Sequence, residues 1–530
     1  MILKLFPSKK MIALFLITLV TFSLFACDKK EDDLPEEEKI YYQNPFEAID
    51  YNLPSITLDK EFYELTDLIN VNISGAQSND YVAIFDYNKE PDNAVPYKRL
   101  KVGSNTSLSF SISDLELNEG DYCACLYNNK TSYLYDRVEF QIDNDNNDYK
   151  VKDAKVNTII DDKITKFSVK IYPSTDLELT YSLYYAKDGK RLANYTDLAR
   201  VKESNSSEFT LNFQENVFVP NEANQVEIAI TEGRSSSFYV DIPESLKLNK
   251  SKYLYNFQVL TDIHANPQYG YWSSHFYNAL LDIKCLSGNT SGIFTVGDNT
   301  DMGSTSHYAH LFKILKEVFA ENIPDIYYTV GNHDYMYFSD SVGGFDAGIN
   351  YFKNATGMEN SYYTVDVNGY KYIFLSSDQK STPGAIFDEQ LNWFKNEISK
   401  IKKDEFAFIF VHQPFYNTVS GSLPGQNWHG MTNVGDEIKM LLKDYPNVMV
   451  FTGHTHYSLE CNKSVSLGHG NNANYVNNAS VAYLMDDNYD YTVGGMCNFI
   501  EVYEDYIIIK GRDLFERKWV SNAQYVCYLY

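Results

Sequence analysis

The fold is constrained most by a series of polar motifs in the second half of the chain, each of which follows a short apolar run directly. These runs alternate with stretches of helical pattern, as in YNFQVL, HFYNALLDIKCL, GIFTV and YAHLFKILKEVFA. Strands that alternate with helices predict a layered α/β domain whose loops at the strand ends carry the chemistry. We expect this domain to occupy residues 251–517.

The motifs supply carboxylates, imidazoles and one amide. They read VLTDIH, TVGDNTD, YTVGNHD, IFVHQPF and VFTGHTH, and their candidate side chains are Asp262, His264, Asp298, Asn332, His333, His412, His454 and His456. Each motif alone is more typical of a polar loop than of a metal ligand. Together, in this order and always after a strand, they predict one pocket at a sheet edge. Nitrogen and oxygen ligands of this kind suit Zn, Fe or Mn, and their number suits two ions.

The five blocks resemble the calcineurin-like metallophosphoesterases, whose motifs read DxH, GDxxD, GNH, a single His and GHxH. The resemblance covers about residues 253–515 and implies two central mixed sheets flanked by helices. It also implies that Asp262, His264 and His456 bind one metal ion, that Asn332, His412 and His454 bind the other, and that Asp298 bridges them. Two such ions activate a shared water that attacks phosphorus. His333 would then protonate the leaving oxygen and Asp301 would orient it, with Asp334 as a weaker candidate for that role.

Sequence differences from two branches of this family restrict the range of expected substrates. The protein serine/threonine phosphatases carry Arg-Gly where this chain has Met302-Gly303, so a phosphoprotein substrate is not expected. Purple acid phosphatases carry a tyrosine where Asp301 stands, so an iron–tyrosinate site is not expected either. The remaining expectation is a small phosphorylated substrate: a phosphomonoester, a phosphodiester or a nucleotide.

Three further residues are candidates for contact with the substrate. Trp428 and His429 lie in GQNWHG between the fourth and fifth motifs, where they line the pocket or simply pack the loop. His307 lies in STSHYAHLFKIL, just after the bridging-aspartate motif, where a solvated helix start is the competing interpretation.

The first residues indicate export. Lys4, Lys9 and Lys10 precede an uncharged run from Met11 to Ala26, which is shorter than the roughly 18 residues of a spanning helix. The run ends in LFAC, which resembles a bacterial lipobox with Cys27 as the lipid acceptor, although Phe25 is bulkier than usual there. A plain signal peptide is the alternative.

The lipobox interpretation makes residues 1–27 a lipoprotein signal peptide and residues 28–50 an acidic tether. Such a protein would be exported and held by its lipid in the bacterial cell envelope, facing the periplasm or the cell surface.

Between the tether and the α/β domain, the sequence predicts two β-sandwich domains of immunoglobulin-like or fibronectin-like type, at residues 51–145 and 150–245. Both consist of short alternating runs separated by Asn, Gly, Asp and Ser. Cys123 and Cys125 fall on one face of a strand and are expected to be small core residues. The two domains are interpreted as spacers or adhesive modules. In an alternative reading of the chain, they carry the function and the protein is a non-catalytic surface-binding lipoprotein, which predicts at least one lost metal ligand.

The charge of the chain argues against one class of partner. Its 71 acidic and 45 basic side chains give a formal net charge of −26, which repels a nucleic-acid backbone. No nucleic-acid polymer is therefore expected as a partner.

Overall fold

The computed structural model describes residues 54–530 except 88, 90–94, 131–132, 144, 146, 205–206, 234–235 and 427–429. The expected signal peptide, the lipid site Cys27 and the tether therefore lie outside the described residues, as do Trp428 and His429. Within the described part of the chain, no helix is both long enough and apolar enough to cross a bilayer.

Residues 54–142 form two sheets that share a hydrophobic core. One sheet has the strand order β1-β3-β6 and the other β2-β8-β7-β4-β5. In β6, Leu108 and Phe110 point into the core while the alternating Ser107 and Ser109 are exposed, as the alternation in sequence predicts. Cys123 and Cys125 are fully buried, which confirms them as core residues. The strands are β1 (Ser55–Leu58), β2 (Phe62–Tyr63), β3 (Leu68–Ser74), β4 (Tyr81–Asp86), β5 (Lys98–Lys101), β6 (Ser107–Ser111), β7 (Gly120–Tyr127) and β8 (Leu134–Ile142).

Residues 151–241 form two more sheets. One is β14-β10-β9, and in the other β12, β13 and β15 all pair with β11 and β16 pairs with β15. We call residues 54–142 and 151–241 the first and second strand-rich regions; their assignment as immunoglobulin-like or fibronectin-like domains stays a prediction. The strands are β9 (Val151–Asp161), β10 (Ile164–Pro173), β11 (Leu179–Lys187), β12 (Lys190–Arg191), β13 (Ala199–Glu203), β14 (Phe209–Asn212), β15 (Gln225–Ile230) and β16 (Phe238–Asp241).

The rest of the chain contains two six-stranded mixed sheets, which confirms the predicted layered α/β domain. The first has the order β19-β18-β17-β28-β29-β30, in which β17, β18 and β19 are parallel. The second has the order β20-β21-β22-β23-β25-β24, in which β21, β22, β23 and β25 are parallel.

The strands of this domain are β17 (Tyr253–Leu260), β18 (Ile293–Thr295), β19 (Ile326–Tyr327), β20 (Tyr363–Val367), β21 (Tyr370–Phe374), β22 (Ala407–Phe410), β23 (Val448–Thr452), β24 (Val465–Ser466), β25 (Asn474–Asn477), β26 (Leu484–Met485), β27 (Tyr491–Thr492), β28 (Met496–Tyr503), β29 (Tyr506–Asp513) and β30 (Lys518–Tyr528). β26 and β27 pair separately from both sheets.

The two sheets pack face to face with helices outside. In β22, Phe408 and Phe410 pack in the core between the sheets, while Ala407 and Ile409 pack in a separate core with α4 and α5. A strand that is covered on both faces needs apolar residues at every position, and AFIF meets this requirement. The helices are α1 (Gly270–Leu286), α2 (Thr305–Phe319), α3 (Gly344–Thr356), α4 (Asp388–Ile398) and α5 (Gly435–Leu442).

The second strand-rich region is joined to the last strand of the chain. Thr196 N donates to Trp519 O at 2.9 Å, and Phe218 N donates to Gln524 O at 2.8 Å. One hydrophobic core runs through this region and the α/β domain. β30 lies beyond the expected end of the α/β domain at residue 517 and forms this junction.

A cavity of about 280 Å³ lies where the first strand-rich region meets the α/β domain. Arg137 from β8 and five carboxylates line it, among them Glu460, Asp513 and Glu516. The Glu460 side chain is exposed to solvent at the wall of this cavity. Partial loss of hydration among the surrounding protein atoms, together with the charges of Asp197 and Asp513, raises the pKa of Glu460 to about 8.

The raised pKa of Glu460 predicts a specific pH dependence of stability. The folded state holds this proton more tightly than the unfolded chain does, so this group lowers the free energy of unfolding as the pH rises from 4.5 to about 8. We therefore expect Glu460→Gln to raise the thermal midpoint, by more at about pH 8.5 than at about pH 5. Thermal unfolding of both proteins across this range measures the difference. Glu359→Gln at an exposed site is the control, and an equal shift at every pH would contradict the assignment.

Candidate active site

Every motif singled out from the sequence lies at the carboxyl end of a parallel strand. Asp262 and His264 follow β17, Asp298 follows β18, and Asn332 and His333 follow β19; in the second sheet His412 follows β22, and His454 and His456 follow β23. Two hydrogen bonds join the two edges: His454 N donates to Asp262 Oδ2 at 2.8 Å, and His412 Nδ1 donates to Val296 O at 2.7 Å. The structure thus brings the two halves of the motif set together in one site.

The backbone of this site is strained. Left-handed φ angles are rare outside glycine and cost about 1 kcal/mol or more each, so they persist only where the surrounding structure fixes them, most often at functional sites. Five of the motif residues adopt them: Asp262 (50°), His264 (46°), Asp298 (48°), His454 (72°) and His456 (59°). The fold therefore holds these side chains in place at a cost in conformational energy.

The first cluster consists of Asp262, His264 and His456. His264 Nε2 lies 3.3 Å from His456 Nε2, and Asp262 Oδ1 lies 3.1 Å from His456 Nε2 and 3.9 Å from His264 Nε2. Two ligands at about 2.1 Å from one ion in tetrahedral geometry stand about 3.4 Å apart. All three side chains are buried, and their potential ligand atoms are close enough to hold one metal ion.

The second cluster consists of Asp298, His412 and His454. His412 Nε2 lies 3.1 Å from Asp298 Oδ2 and 3.3 Å from His454 Nδ1. Asn332 Oδ1 is buried and accepts no hydrogen bond from any residue that the structure describes. A buried oxygen in that state is unfavourable unless something else binds it, and a metal ion is such a partner. The donor set of the second cluster therefore also fits a metal ion.

Asp298 lies between the two clusters. Its Oδ2, 3.1 Å from His412 Nε2, is also 3.9 Å from His264 Nε2 in the first cluster. Its Oδ1 accepts a hydrogen bond from His333 N at 2.8 Å, which fixes the carboxylate orientation. Asp298 is thus near histidines of both clusters, and its role as a bridging ligand stays a prediction.

Main-chain carbonyl groups select the tautomer of two of the histidines. His412 Nδ1 donates to Val296 O at 2.7 Å, and His456 Nδ1 donates to Tyr483 O at 3.2 Å. With the proton on Nδ1, each imidazole presents the lone pair of Nε2 to its cluster.

The electrostatics of the site favour a cation. Burial opposes protonation of His412, but the charges of Asp298 and Asp262 outweigh it and raise the pKa of this imidazole to about 9. Burial dominates at His454 and lowers its pKa to about 3, which keeps the imidazole in the neutral form that can bind a metal. The charges of Asp298 and Asp262 thus stabilise positive charge where the two clusters meet.

His333 lies beside the first cluster, with its ring centroid 4.5 Å from that of His264. Its Nδ1 donates to the main-chain oxygen of Asp301 at 2.7 Å, so Nε2 is the nitrogen left for chemistry. The Asp301 carboxylate Oδ1 is 3.6 Å from His333 Nδ1 and from His264 Nδ1, too far for a hydrogen bond to either ring. Asp301 therefore orients His333 through its carbonyl group.

Asp334 has a different role from the one considered for it. Its Oδ1 accepts from Thr300 N, and its Oδ2 accepts from the main-chain N–H groups of Asn299 and Gly331. It is completely buried, and no hydrogen bond to His333 is present in the described structure. Asp334 thus ties the second motif to the third and supports both loops.

His307, His310 and His469 lie outside both clusters. His307 Nδ1 accepts a hydrogen bond from Met302 N at 3.1 Å, so this nitrogen supports the loop after Asp301. His310 Nε2 lies 2.7 Å from Ser273 Oγ, and His469 pairs with Glu215 of the second strand-rich region at 2.8 Å.

Several residues of the site carry no clear signal in the sequence. Thr261 Oγ1 donates to Asp262 Oδ2 at 2.7 Å, and Asn266 Nδ2 donates to Asp301 Oδ2 at 2.8 Å. Their closeness to the DIH motif is the only hint of these roles. Tyr483 and Trp272 also pack against the cluster histidines, although neither stands within a motif.

The fold and the donor set together define a class of protein, the metal-dependent hydrolases of phosphoric esters. Residues 255–458 match the family model described as calcineurin-like phosphoesterase, so this part of the chain belongs to that family.

Two relatives and one solved structure show how far the similarity extends. A "Probable cyclic nucleotide phosphodiesterase" of Rhodococcus erythropolis is 26% identical over 254 residues, which cover 44% of this chain and 74% of that protein. A similarly named protein of Fibrobacter succinogenes is 27% identical over 177 residues, which cover 33% of this chain and 58% of that protein. A purple acid phosphatase from yellow lupin (Lupinus luteus) aligns over 90% of this chain and 96% of its own, with 10% identity and a TM-score of 0.39.

The contacts of Asp334 predict that asparagine cannot replace it. In either amide orientation the NH₂ group would face a main-chain N–H donor, of Thr300 or of Asn299 and Gly331. We expect Asp334→Asn to lower the free energy of unfolding by about 3 kcal/mol, because buried donors lose their acceptor. Chemical denaturation measures the change, with the exposed Asp340→Asn as the matched control. An unchanged stability of Asp334→Asn would show that these hydrogen bonds do not hold the loops.

Proposed function

We propose that this protein is a phosphoesterase that uses two metal ions and acts on small phosphorylated substrates. The observation that carries the proposal is the pair of ligand clusters with Asp298 between them. In this proposal Asp262, His264 and His456 hold one ion, and Asn332, His412 and His454 hold the other. Fe, Mn and Zn all suit this set of donors.

Two ions held in this way would supply an activated water and neutralise charge on the phosphoryl oxygens. The protein itself keeps the site buried and fixes the tautomers through Val296 O and Tyr483 O. It also holds Asp298 in one orientation through His333 N. The oxygen of the attacking water and the leaving oxygen of the ester are expected to lie in line across phosphorus, with the leaving oxygen on the side of His333.

His333 is the proposed proton donor to the leaving oxygen. Its Nδ1 is engaged by Asp301 O, so Nε2 carries the transferred proton. The hydrogen bond from Asn266 to the Asp301 carboxylate steadies the loop that aims the ring. Asp301 is thus proposed as a positioning residue.

The names of the two relatives support diesters, and cyclic nucleotides among them, as the first substrates to test. Phosphomonoesters stay candidates because the same donor set serves both kinds of ester. The completeness of both clusters argues against the non-catalytic alternative, which predicted a lost ligand.

The proposed location is the bacterial cell envelope, with the protein anchored by a lipid on Cys27. Support comes from the lysines and the uncharged run that precede LFAC. A Cys27→Ala variant should appear in the soluble rather than the membrane fraction of the producing cells. Membrane retention of that variant would refute the lipid anchor.

The central test is hydrolysis after removal and replacement of metal. We expect the metal-free protein to be inactive on both p-nitrophenyl phosphate and bis-p-nitrophenyl phosphate, and Mn, Zn or Fe to restore turnover of at least one. Asp298→Asn should lose activity by about 100-fold or more, since it weakens both ion sites at once. Metal analysis of the wild type should find two ions per chain. Turnover that survives complete metal removal would overturn the proposal.

The role of His333 is tested by varying the leaving group. Loss of a general acid costs about 10²–10⁴-fold in rate, and most when the leaving oxygen is strongly basic. We expect His333→Asn to slow phenyl phosphate or phenyl phosphodiester cleavage far more than cleavage of the corresponding p-nitrophenyl ester. A steady-state rate comparison on these pairs measures the effect. Equal losses on both esters would assign His333 a structural role instead.

A further inference from the structure

Three aromatic rings form a row beside the first cluster. The row consists of Tyr269, Trp272 and Tyr483, with centroid separations of 4.3 Å between Tyr269 and Trp272 and 5.5 Å between Trp272 and Tyr483. The Trp272 and Tyr483 rings are stacked, with an interplanar angle of 27°. None of these rings takes part in the chemistry proposed above.

The row leads from the site to the surface. At its inner end the Tyr483 ring lies 4.1 Å from the His456 ring, and Trp272 lies 5.7 Å from His264. At its outer end Tyr269 is 40% exposed. A large ring left in water next to a site of this kind is available for contact with a ligand.

The protein holds the row rigidly. Tyr483 N donates to Ser480 Oγ at 3.2 Å, and Tyr483 O accepts the His456 proton. At the other end, Tyr269 N donates to Asn266 O at 3.1 Å, and the Asn266 side chain donates to the Asp301 carboxylate. The row is therefore fixed both to the first cluster and to the loop that aims His333.

The row and the proposed proton donor have one neighbour in common. His333 and Trp272 both pack against His264, with centroid separations of 4.5 Å and 5.7 Å. An ester whose leaving oxygen takes its proton from His333 would thus be bound next to His264, the residue that Trp272 also contacts.

We propose that Tyr269, Trp272 and Tyr483 form a stacking wall for a flat aromatic group on the ester. The preferred substrates are then phosphoesters that carry a nucleobase or an aryl ring, rather than esters of sugars or aliphatic alcohols. This inference rests on the proposed phosphoesterase function and specifies the class of substrate that the enzyme would prefer. Stacking tolerates any flat ring, because every such ring presents a π face.

The test compares esters that differ only in the ring. Adenosine 5′-monophosphate and ribose 5-phosphate share one primary alcohol and differ by the base. Benzyl and cyclohexylmethyl phosphate differ by aromaticity alone. For a diesterase, the methyl esters of benzyl phosphate and of cyclohexylmethyl phosphate make the same comparison. The first pair tests for a base, and the other two pairs test for an aryl ring.

We expect the wild type to prefer the ring-bearing member of at least one pair by about tenfold or more in kcat/KM, the size of a base–aromatic stack. Trp272→Leu and Tyr269→Leu should bring that ratio close to one, and Trp272→Phe, which keeps a ring, should preserve it. The control is Tyr97→Leu, which removes an exposed ring of the first strand-rich region and should leave the ratio unchanged. Thermal unfolding of each variant shows whether it is folded.

A second measurement does not depend on turnover. Adenosine and benzyl alcohol are titrated against the fluorescence of the four tryptophans, and at least one of them should quench the wild type. Trp272→Phe should abolish that quenching. Equal rates on both members of all pairs, or equal losses on both members in the leucine variants, would overturn the stacking wall while leaving the phosphoesterase intact. If no ester is cleaved with any metal, the proposed function fails, and the absence of quenching would then overturn the wall as well.

Discussion

A layer of phenylalanine rings between the two sheets is the contact on which the site depends. Phe294 of the first sheet stacks on Phe410 of the second with centroids 5.3 Å apart, and Phe257 meets Phe408 edge to face at 5.1 Å. Each sheet carries only part of the donor set at its strand ends. Because the rings fix the spacing and relative shift of the sheets, they also decide whether Asp262 meets His456 and Asp298 meets His412. Packing some distance from the chemistry therefore sets its geometry.

Each of three features of the site would by itself raise the free energy of the folded state. Its carboxylates are buried, its imidazoles are crowded, and five of its residues hold left-handed φ angles. The surrounding structure compensates with directed hydrogen bonds, such as those from Thr261 to Asp262 and from His333 N to Asp298. A metal ion at each cluster would remove much of the remaining electrostatic cost, since positive charge is what the buried carboxylates lack. Metal binding and local stability are thus expected to be coupled.

Sequence reasoning found the parts of the site that follow a local rule. The order of Asp, Asn and His residues after the predicted strands was enough to predict both clusters, because the carboxyl ends of parallel strands meet at one edge of a sheet. It could not find Tyr483 or Trp272, whose places come from the packing of a distant loop and of α1 against the site. It assigned the orientation of His333 to Asp301, but it could not show that the contact is made by the main-chain carbonyl group, which leaves no trace in residue identity. The two strand-rich regions were predicted from the alternation of apolar and polar residues. This alternation does not show which other part of the protein each sheet packs against.

The junction formed by β30 has a consequence for the order in which the molecule is completed. The last strand, Lys518–Tyr528, supplies main-chain partners to residues of the second strand-rich region some 300 positions earlier in the chain. During synthesis that region emerges first, with the surface that β30 will cover still open to solvent. It stays incomplete until residues 518–528 have left the ribosome. A chain that lacks this strand would keep every residue of both clusters and yet expose apolar surface of the second strand-rich region.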